Sequence, residues 1–411
     1  MTPIALLSAF LVPFISALFL VPCVRWVARR KGWLDKPDRE RKQHARPTPN
    51  IGGVAIAASV GVGLISLIMV GDILPFEVTP SMVIVVVGAL IVLGTGFYDD
   101  VRDLGFKKKF FVQVVVASLL LHAGYRFEVA NLPFMVADPY IQVFYSILLT
   151  MIWIVGISNA VNFLDGLDGL ATGVSLIAFV CLAALFGMQG DVSLVAIALL
   201  TIGALAAFLV YNFNPASIFM GDSGSLFLGY MLAICTLSLE DGAHANPMLA
   251  LLVPVIVLGL PLLDTCLSIV RRLLARRSPF APDRDHIHHR LSRLWSGRHA
   301  VLFLYGVALW FGVAAILMTL IDPPFGFAVA GITLVVAYIG MRSLGYLKLP
   351  RTNHSIQLSF DFPLGDTHLV EGNRNGVNGT GSEGQGPHEY SASEVNGDLV
   401  TERRESLEIE S

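Results

Sequence analysis

Four clusters of oxygen and nitrogen side chains stand out from an otherwise apolar chain. "NAVNFLDGLDGLATG", residues 159–173, carries Asn162, Asp165 and Asp168 at intervals of three, with glycines between them. "FYDDVRDLGFKKKF", residues 97–110, carries Asp99, Asp100 and Asp103 ahead of Lys107, Lys108 and Lys109. "NFNPASIFMGDSGS", residues 212–225, holds Asn212, Phe219 and Asp222, and "SPFAPDRDHIHHRLSRL", residues 278–294, holds Arg284, His286, His288 and His289. A fifth stretch, "DKPDRERKQHARPTPNIGG", residues 35–53, contributes Lys42 and His44. Carboxylate and amide oxygens without a thiolate cluster favour a hard cation such as Mg²⁺, with Mn²⁺ as the alternative; Mg²⁺ uses few protein oxygens and completes its shell with water and phosphate. Glycines at helix starts, such as Gly221 and Gly224, let backbone N–H groups approach phosphate. The lysines, Arg284 and the histidines would neutralise a diphosphate. The set asks for phosphoryl transfer, in which catalysis is mostly positioning and charge stabilisation.

These groups must be held by apolar elements. The chain has 411 residues, 55% hydrophobic and 14% charged, with a mean hydropathy of +0.68. A soluble protein cannot hide such a composition in its core. A bilayer-crossing helix takes about 20 apolar residues, and eleven spans are expected, near 3–27, 52–71, 80–98, 110–126, 140–158, 169–187, 192–211, 223–239, 246–270, 301–321 and 324–344. The first has basic residues only after it, so it reads as a retained anchor rather than a cleaved signal. An all-α integral membrane protein follows. Eleven spans place alternate loops on opposite sides. One set of loops carries 23 Lys and Arg; the other carries only Arg126 among eight Asp or Glu. The positive-inside rule then puts the basic set in the cytoplasm, the N-terminus outside and the C-terminus inside. All five polar stretches fall on that cytoplasmic face.

Residues 1–351 form the expected membrane domain. From Thr352 to Ser411 eleven acidic residues outweigh three arginines around a Gly- and Asn-rich centre, which reads as a disordered cytoplasmic tail. The four cysteines, Cys23, Cys181, Cys235 and Cys266, lie in apolar spans at unrelated spacings and read as packing residues.

Each polar cluster has a bland reading of its own. Asp99 and Asp100 fit a solvated helix end, Asp222 or Ser223 a simple N-cap, the histidines an amphipathic surface, and Phe219 an interfacial anchor. Asp165 and Asp168 are harder to dismiss, because an ionised group at membrane depth costs about 2.5–3.5 kcal/mol on insertion scales and usually marks function. The spacing of Asn162, Asp165 and Asp168 suits one face of a helical turn. Gly166 and Gly169 argue against a regular helix there, and a broken helix at that depth must line a polar cavity. A nucleotide-sugar or anion transporter is the rival class, with ionisable groups near the midplane of two related halves. No repeat relates the halves, and the carboxylates gather at helix ends on one side.

In this combination and order, "DDVRDL…KKKFFVQ", "NAVNFLDGLDGLATG", "NFNPASIFMGDSGSLFLGY" and "DRDHIHHRL" resemble the polyprenyl-phosphate N-acetylhexosamine-1-phosphate transferase superfamily over residues 5–345. The resemblance implies a membrane enzyme that moves a sugar 1-phosphate from a UDP-sugar to a polyprenyl phosphate and releases UMP. It implies Mg²⁺ at Asn162 and Asp222, uracil recognition by Asp168, base stacking by Phe219, and Asn212 close to the nucleoside. Lys109 would lie near the diphosphate, and the acidic pair, Asp99 foremost and Asp100 beside it, would deprotonate or orient the lipid phosphate. Arg284, His286, His288 and His289 would bind phosphates from a mobile loop. Lys42 and His44 match a substrate-binding pattern, and Asp103 and Asp165 remain further candidates. "HIHH" differs from the three adjacent histidines of the peptidoglycan-precursor branch. It resembles the branch that starts O-antigen, common antigen or teichoic acid linkage units. The implied partners are UDP-N-acetylglucosamine and undecaprenyl phosphate, with UDP-N-acetylgalactosamine or UDP-MurNAc-pentapeptide as alternative donors. No nucleic acid is called for, and a homodimer is left open.

Overall fold

The computed structural model describes residues 3–35, 47–69, 79–130, 132, 135, 138–239, 246–274, 276, 278 and 286–344. The tail from Thr352 and the candidates Lys42, His44 and Arg284 lie outside the described residues. In chain order the elements are α1 (Pro3–Lys31), β1 (Leu34–Asp35), β2 (Thr48–Pro49), α2 (Gly52–Met69), α3 (Pro80–Arg102), α4 (Phe106–His122) and α5 (Pro139–Leu164). There follow α6 (Leu170–Gln189), α7 (Val192–Asn212), α8 (Gly221–Leu237), α9 (Pro247–Val257), α10 (Gly259–Leu274), α11 (Ile287–Leu294), α12 (Gly297–Leu320) and α13 (Pro323–Ser343). Apart from the two-residue antiparallel pair of β1 with β2, the described fold is all helical.

Eight of these helices, α1, α2, α3, α5, α6, α7, α12 and α13, are long and apolar enough to cross a bilayer. At 17 residues each, α4 and α8 are shorter. The chain is therefore a multi-pass membrane protein. The ninth expected span, 246–270, is not one helix: α9 and α10 meet at 81°. Pro261 sits in the first turn of α10, where it has no N–H to continue the ladder from Val257, and Gly259, two residues earlier, accommodates the bend most easily.

The helices are organised around α8. Every residue from Ser223 to Leu237 is buried, as a helix that is apolar all round must be. Its neighbours α2, α3 and α5 approach it at glycines. A Cβ on Gly53 of α2 would collide with the Gly224 backbone, one on Gly96 of α3 would lie 2.6 Å from Ser223 Cα, and one on Gly229 would lie 2.6 Å from Ser158 Cα of α5. Small residues let helix backbones touch where lipid offers no hydrophobic drive to association. Polar side chains then tie the bundle across helices: Tyr230 O–H donates to the Val85 carbonyl at 2.8 Å, and Trp153 Nε1–H to Thr236 Oγ1 at 3.0 Å.

This close approach makes two glycines of one helix behave differently. A Cβ on Gly94 of α3 meets nothing within 4 Å, whereas one on Gly96 strikes the α8 backbone. Gly96→Ala is expected to lower the thermal midpoint in detergent by an amount corresponding to about 1–3 kcal/mol of overpacking, and Gly94→Ala to leave it unchanged or raise it. Equal midpoints for the two variants would refute the backbone contact.

Candidate active site

The site lies where α3, α5, α7 and the bent α10 end or turn toward α4, α6, α8 and α11. Its foundation is the start of α8. The first N–H groups of any helix lack intrahelical partners, and here no side chain of the local sequence caps them. Asp100, at the end of α3, does so from across the bundle: Oδ1 accepts from Asp222 N–H at 2.8 Å and Oδ2 from Ser223 N–H at 3.0 Å. Asn50 Nδ2 donates to the same Oδ1 at 3.3 Å. Gly221 enters α8 with φ +70, and a Cβ there would press on the Asp100 carboxylate at 2.7 Å. The N-cap expected from Asp222 or Ser223 is thus replaced by Asp100. The phosphate-cradling expectation also changes: Gly224 is spent on the contact with Gly53, and the N–H groups beside Gly221 are taken by Asp100.

With α8 fixed, Asp222 becomes the centre of a charge cluster. Lys109 Nζ lies 2.7 Å from Asp222 Oδ2 and 3.0 Å from Asp99 Oδ2. The other Asp99 oxygen accepts from Leu104 N–H at 2.8 Å, which folds the α3–α4 turn back on itself and aims Lys109 inward. On the opposite side Asn162 Nδ2 donates to Asp222 Oδ1 at 3.0 Å and to Ser225 Oγ at 2.8 Å. Asp99, Lys109, Asp222 and Asn162, drawn from four helices, are therefore joined as the sequence reading expected. Asp103 is not part of this group. It is exposed, and its side chain accepts from Gly105 N–H at 3.3 Å within the turn.

Helix α5 stops at Leu164 and α6 starts at Leu170, so the DGLDG segment is a turn. Asp168 faces the α7–α8 loop: its Oδ2 accepts from Asn214 Nδ2 at 3.1 Å and from Ala216 N–H at 2.9 Å. Asn212 is 2% exposed, and both ends of its amide are engaged, Oδ1 by Thr172 Oγ1 at 2.6 Å and Nδ2 with the Ile218 carbonyl at 3.0 Å. It braces the loop. Phe219 is held by its backbone, N–H to the Pro49 carbonyl at 2.8 Å and C=O from Gly52 N–H at 2.9 Å, which stitches the first polar loop to the α7–α8 loop. Asp165 caps the end of α5. Desolvation, then the charges of Asp222 and Asp168, push its carboxyl up to about 7.

The histidines pack against the same turn from α11. His286 Nδ1 lies 2.9 Å from Asp264 Oδ2, and Ile287 N–H donates to Asp264 Oδ1 at 2.8 Å. His286 stacks on His288 with centroids 5.6 Å apart, and His289 lies 4.2 Å from His288. His288 is 1% exposed, fits against Gly166, and neither ring nitrogen has a hydrogen-bond partner among the described residues. Burial, then His289, pushes it down to about 3 against the pull of Asp264. Burial thus favours the neutral ring. Asp264 itself escaped the sequence reading. Its signal was a lone carboxylate in the apolar run "GLPLLDTCLSIV", where an ionisable group has to have a partner.

Among the described residues no three His, Cys, Asp or Glu are grouped to cage a metal. What is present is the Asp222 carboxylate, onto which Asn162 turns its amide nitrogen. With that amide turned over, its oxygen would stand beside the carboxylate, and the pair would fit a cation that takes one or two protein ligands and completes its shell on substrate phosphates. The ammonium of Lys109 lying between two carboxylates marks the same spot as one that attracts positive charge.

Residues 82–240 match the model of the family described as "Glycosyl transferase family 4". The chain is 36% identical over 316 residues to the "Probable undecaprenyl-phosphate N-acetylglucosaminyl 1-phosphate transferase" of Bacillus subtilis, covering 77% of this chain and 85% of that protein. It is 37% identical to the decaprenyl-phosphate N-acetylglucosaminephosphotransferase of Mycolicibacterium smegmatis, covering 79% and 85%. It is 29% identical to the phospho-N-acetylmuramoyl-pentapeptide-transferase of Staphylococcus aureus, covering 75% and 98%. With this similarity running along most of both chains, and with the acidic cluster assembled at the start of α8, the chain belongs to glycosyl transferase family 4, the polyprenyl-phosphate N-acetylhexosamine-1-phosphate transferases.

Proposed function

We propose that the protein transfers N-acetylglucosamine 1-phosphate from UDP-N-acetylglucosamine to undecaprenyl phosphate, releasing UMP and starting a cell-envelope polysaccharide. The observation that carries this reading is Lys109 held between Asp99 and Asp222, with Asn162 on the far side of Asp222. Such a cluster can receive a diphosphate and a metal together. The donor assignment rests on the names of the relatives at 36% and 37% identity, against 29% for the muramoyl-pentapeptide enzyme.

In this mechanism an oxygen of the lipid phosphate attacks the β-phosphorus of the UDP-sugar in line, the P–O bond to UMP breaks, and the sugar phosphate is left on the lipid. Asp99 orients the attacking phosphate from the mouth of the cluster. Lys109 neutralises charge on the diphosphate, and Asp100 holds the α8 start without touching substrate. Asp222 and Asn162 would hold Mg²⁺, which would supply positive charge to offset the charge that develops on the leaving UMP. Asp168 keeps Oδ1 for the N3–H of uracil while Oδ2 is engaged by the loop. Phe219 stacks on the base, His286, His288 and His289 line the phosphate side, and Arg284, outside the described residues, is assigned to phosphate binding from its motif. The alternation of basic and acidic loops in the sequence supports a site at the cytoplasmic face of the inner membrane, with the N-terminus outside and residues 352–411 as a cytoplasmic tail.

Purified protein in detergent with Mg²⁺ and undecaprenyl phosphate is expected to release UMP from UDP-N-acetylglucosamine, and chelation of the metal is expected to stop it; release without lipid would overturn the reading. Asp222→Ala and Asp99→Ala are expected to lose turnover by at least about a thousandfold. Asp100→Ala should lose turnover and also thermal stability, since it uncaps a buried helix end; a variant as stable as the parent would remove the capping role. The pH dependence has a definite sign. Asp165 is neutral below its raised pKa of about 7 and gains charge above it, so the Mg²⁺ concentration for half-maximal activity should fall between pH 6 and 8. In Asp165→Asn that fall should be absent.

A further inference from the structure

The nucleoside half of the site is assembled from two loops, and one helix that contributes nothing to the acidic cluster holds both. Helix α12 begins at Gly297, just beyond α11. At its first turn Arg298 Nε donates to the Asn214 carbonyl at 2.8 Å and lies 3.3 Å from Asn214 Oδ1. The amide nitrogen of the same Asn214 donates to Asp168 Oδ2 at 3.1 Å. Two turns further along, Tyr305 O–H donates to the Gly169 carbonyl at 2.6 Å. Gly169 leaves the DGLDG turn with φ +81, and Gly173 leaves room for the Tyr305 ring, since a Cβ there would collide with it.

The side-chain chemistry gives this arrangement a direction. The amide of Asn214 has one acceptor and one donor end. The guanidinium can only donate, so it faces Oδ1 and leaves Nδ2 pointed at the carboxylate. With Arg298 in place, Asn214 is oriented to give Asp168 Oδ2 a donor, the second coming from Ala216 N–H. The free oxygen, Oδ1, is thereby fixed in direction. Tyr305 sets the backbone on the following residue, so the Asp168 side chain is aimed from both ends.

We propose that Arg298 and Tyr305 are positioning residues for nucleobase recognition, acting through Asn214 and the Gly169 carbonyl to aim the Asp168 carboxylate. The proposal rests on Asp168 as the uracil acceptor. It extends that reading to a helix outside the chemical centre, and it couples base binding to the junction that carries the histidines of α11. Arg298 is exposed, so replacing it leaves the core intact.

The test compares Arg298→Ala, Arg298→Lys, Tyr305→Phe and Asp168→Asn in the full-length enzyme. Each is assayed for KM of UDP-N-acetylglucosamine, KM of undecaprenyl phosphate, kcat, and inhibition by UMP and by inorganic pyrophosphate. Loss of one hydrogen bond, the guanidinium's to Asn214 or the phenol's to the Gly169 carbonyl, corresponds to about tenfold. Arg298→Ala and Tyr305→Phe are each expected to raise the KM of the UDP-sugar and the inhibition constant of UMP by about that factor. Lipid KM, kcat and pyrophosphate inhibition should stay within about twofold, a selectivity that general loosening of the fold does not produce. Arg298→Lys, which retains a donor for the Asn214 carbonyl, should recover part of the loss. If Asp168→Asn leaves UMP inhibition unchanged, the base-acceptor reading fails. If Asp168→Asn weakens UMP while Arg298→Ala and Tyr305→Phe do not, or if these two depress kcat and both substrates alike, the positioning role fails and the acceptor reading stands.

Discussion

The structure turns on a helix that begins inside the protein. Helix α8 is buried along its length, and its first N–H groups emerge where water cannot reach them freely. Leaving a buried donor unpaired costs about 1–3 kcal/mol, and the local sequence "FMGDSGS" provides no cap. Asp100 resolves this from α3. Because Asp222 is the residue whose N–H is capped, the bond that completes the helix also fixes the carboxylate at the centre of the charge cluster. Gly53 and Gly96 have the same origin. The Asp100 bonds form only when the α2 and α3 backbones lie against α8, and that requires the absence of two side chains.

Like charges then have to be reconciled. Asp99, Asp100, Asp165 and Asp222 converge with Lys109 among them, and three different devices keep the group stable. Asp100 is engaged by two backbone N–H groups of α8, Asp99 and Asp222 share the Lys109 ammonium, and Asp165 holds its proton up to about pH 7. The histidine cluster uses a fourth. His286 pairs with Asp264, and His288 gives up its charge. The result is a site with capacity for one further cation and for phosphates, which is what a transferase acting on two phosphorylated substrates requires.

Much of this was legible in the sequence. Composition and hydropathy placed the helices within a few residues, because bilayer thickness dictates span length. The polar motifs marked Asp99, Lys109, Asn162 and Asp222, because polar groups next to apolar spans are rare enough to stand out. What the sequence could not convey was the division of labour within a motif. Asp99 and Asp100 are adjacent and chemically identical, yet one faces the cluster and the other closes a helix on a different part of the chain. Asn212 looked like a nucleoside contact and is a brace, since its partners Thr172 and the Ile218 carbonyl lie on other elements. Asp264 was hidden because an isolated carboxylate in an apolar run has no motif around it. The break at Leu258 was foreshadowed by Gly259 and Pro261, but hydropathy averages over a bend.

The location of the polar groups also decides between an enzyme and a carrier. Alternating access needs ionisable groups that a conformational change can expose to either side, so they lie on broken helices near mid-depth. Here Asp99, Asp100, Lys109, Asn162, Asp168 and Asp222 all sit at helix ends or in the turns that join α3 to α4, α5 to α6 and α7 to α8. These turns meet one another, as the bonds of Lys109 and Asp100 to Asp222 and of Asp168 to Ala216 N–H show. Above them α8 is packed without a polar path along its axis, its Thr236 and Ser225 hydroxyls already satisfied within the protein. Past Asp222, α8 carries no Asp, Glu, Lys or Arg, so the charged groups stay together at the site end of the helix. That fits a reaction whose nucleotide substrate and product remain in the same compartment while the lipid carries the sugar phosphate away in the membrane.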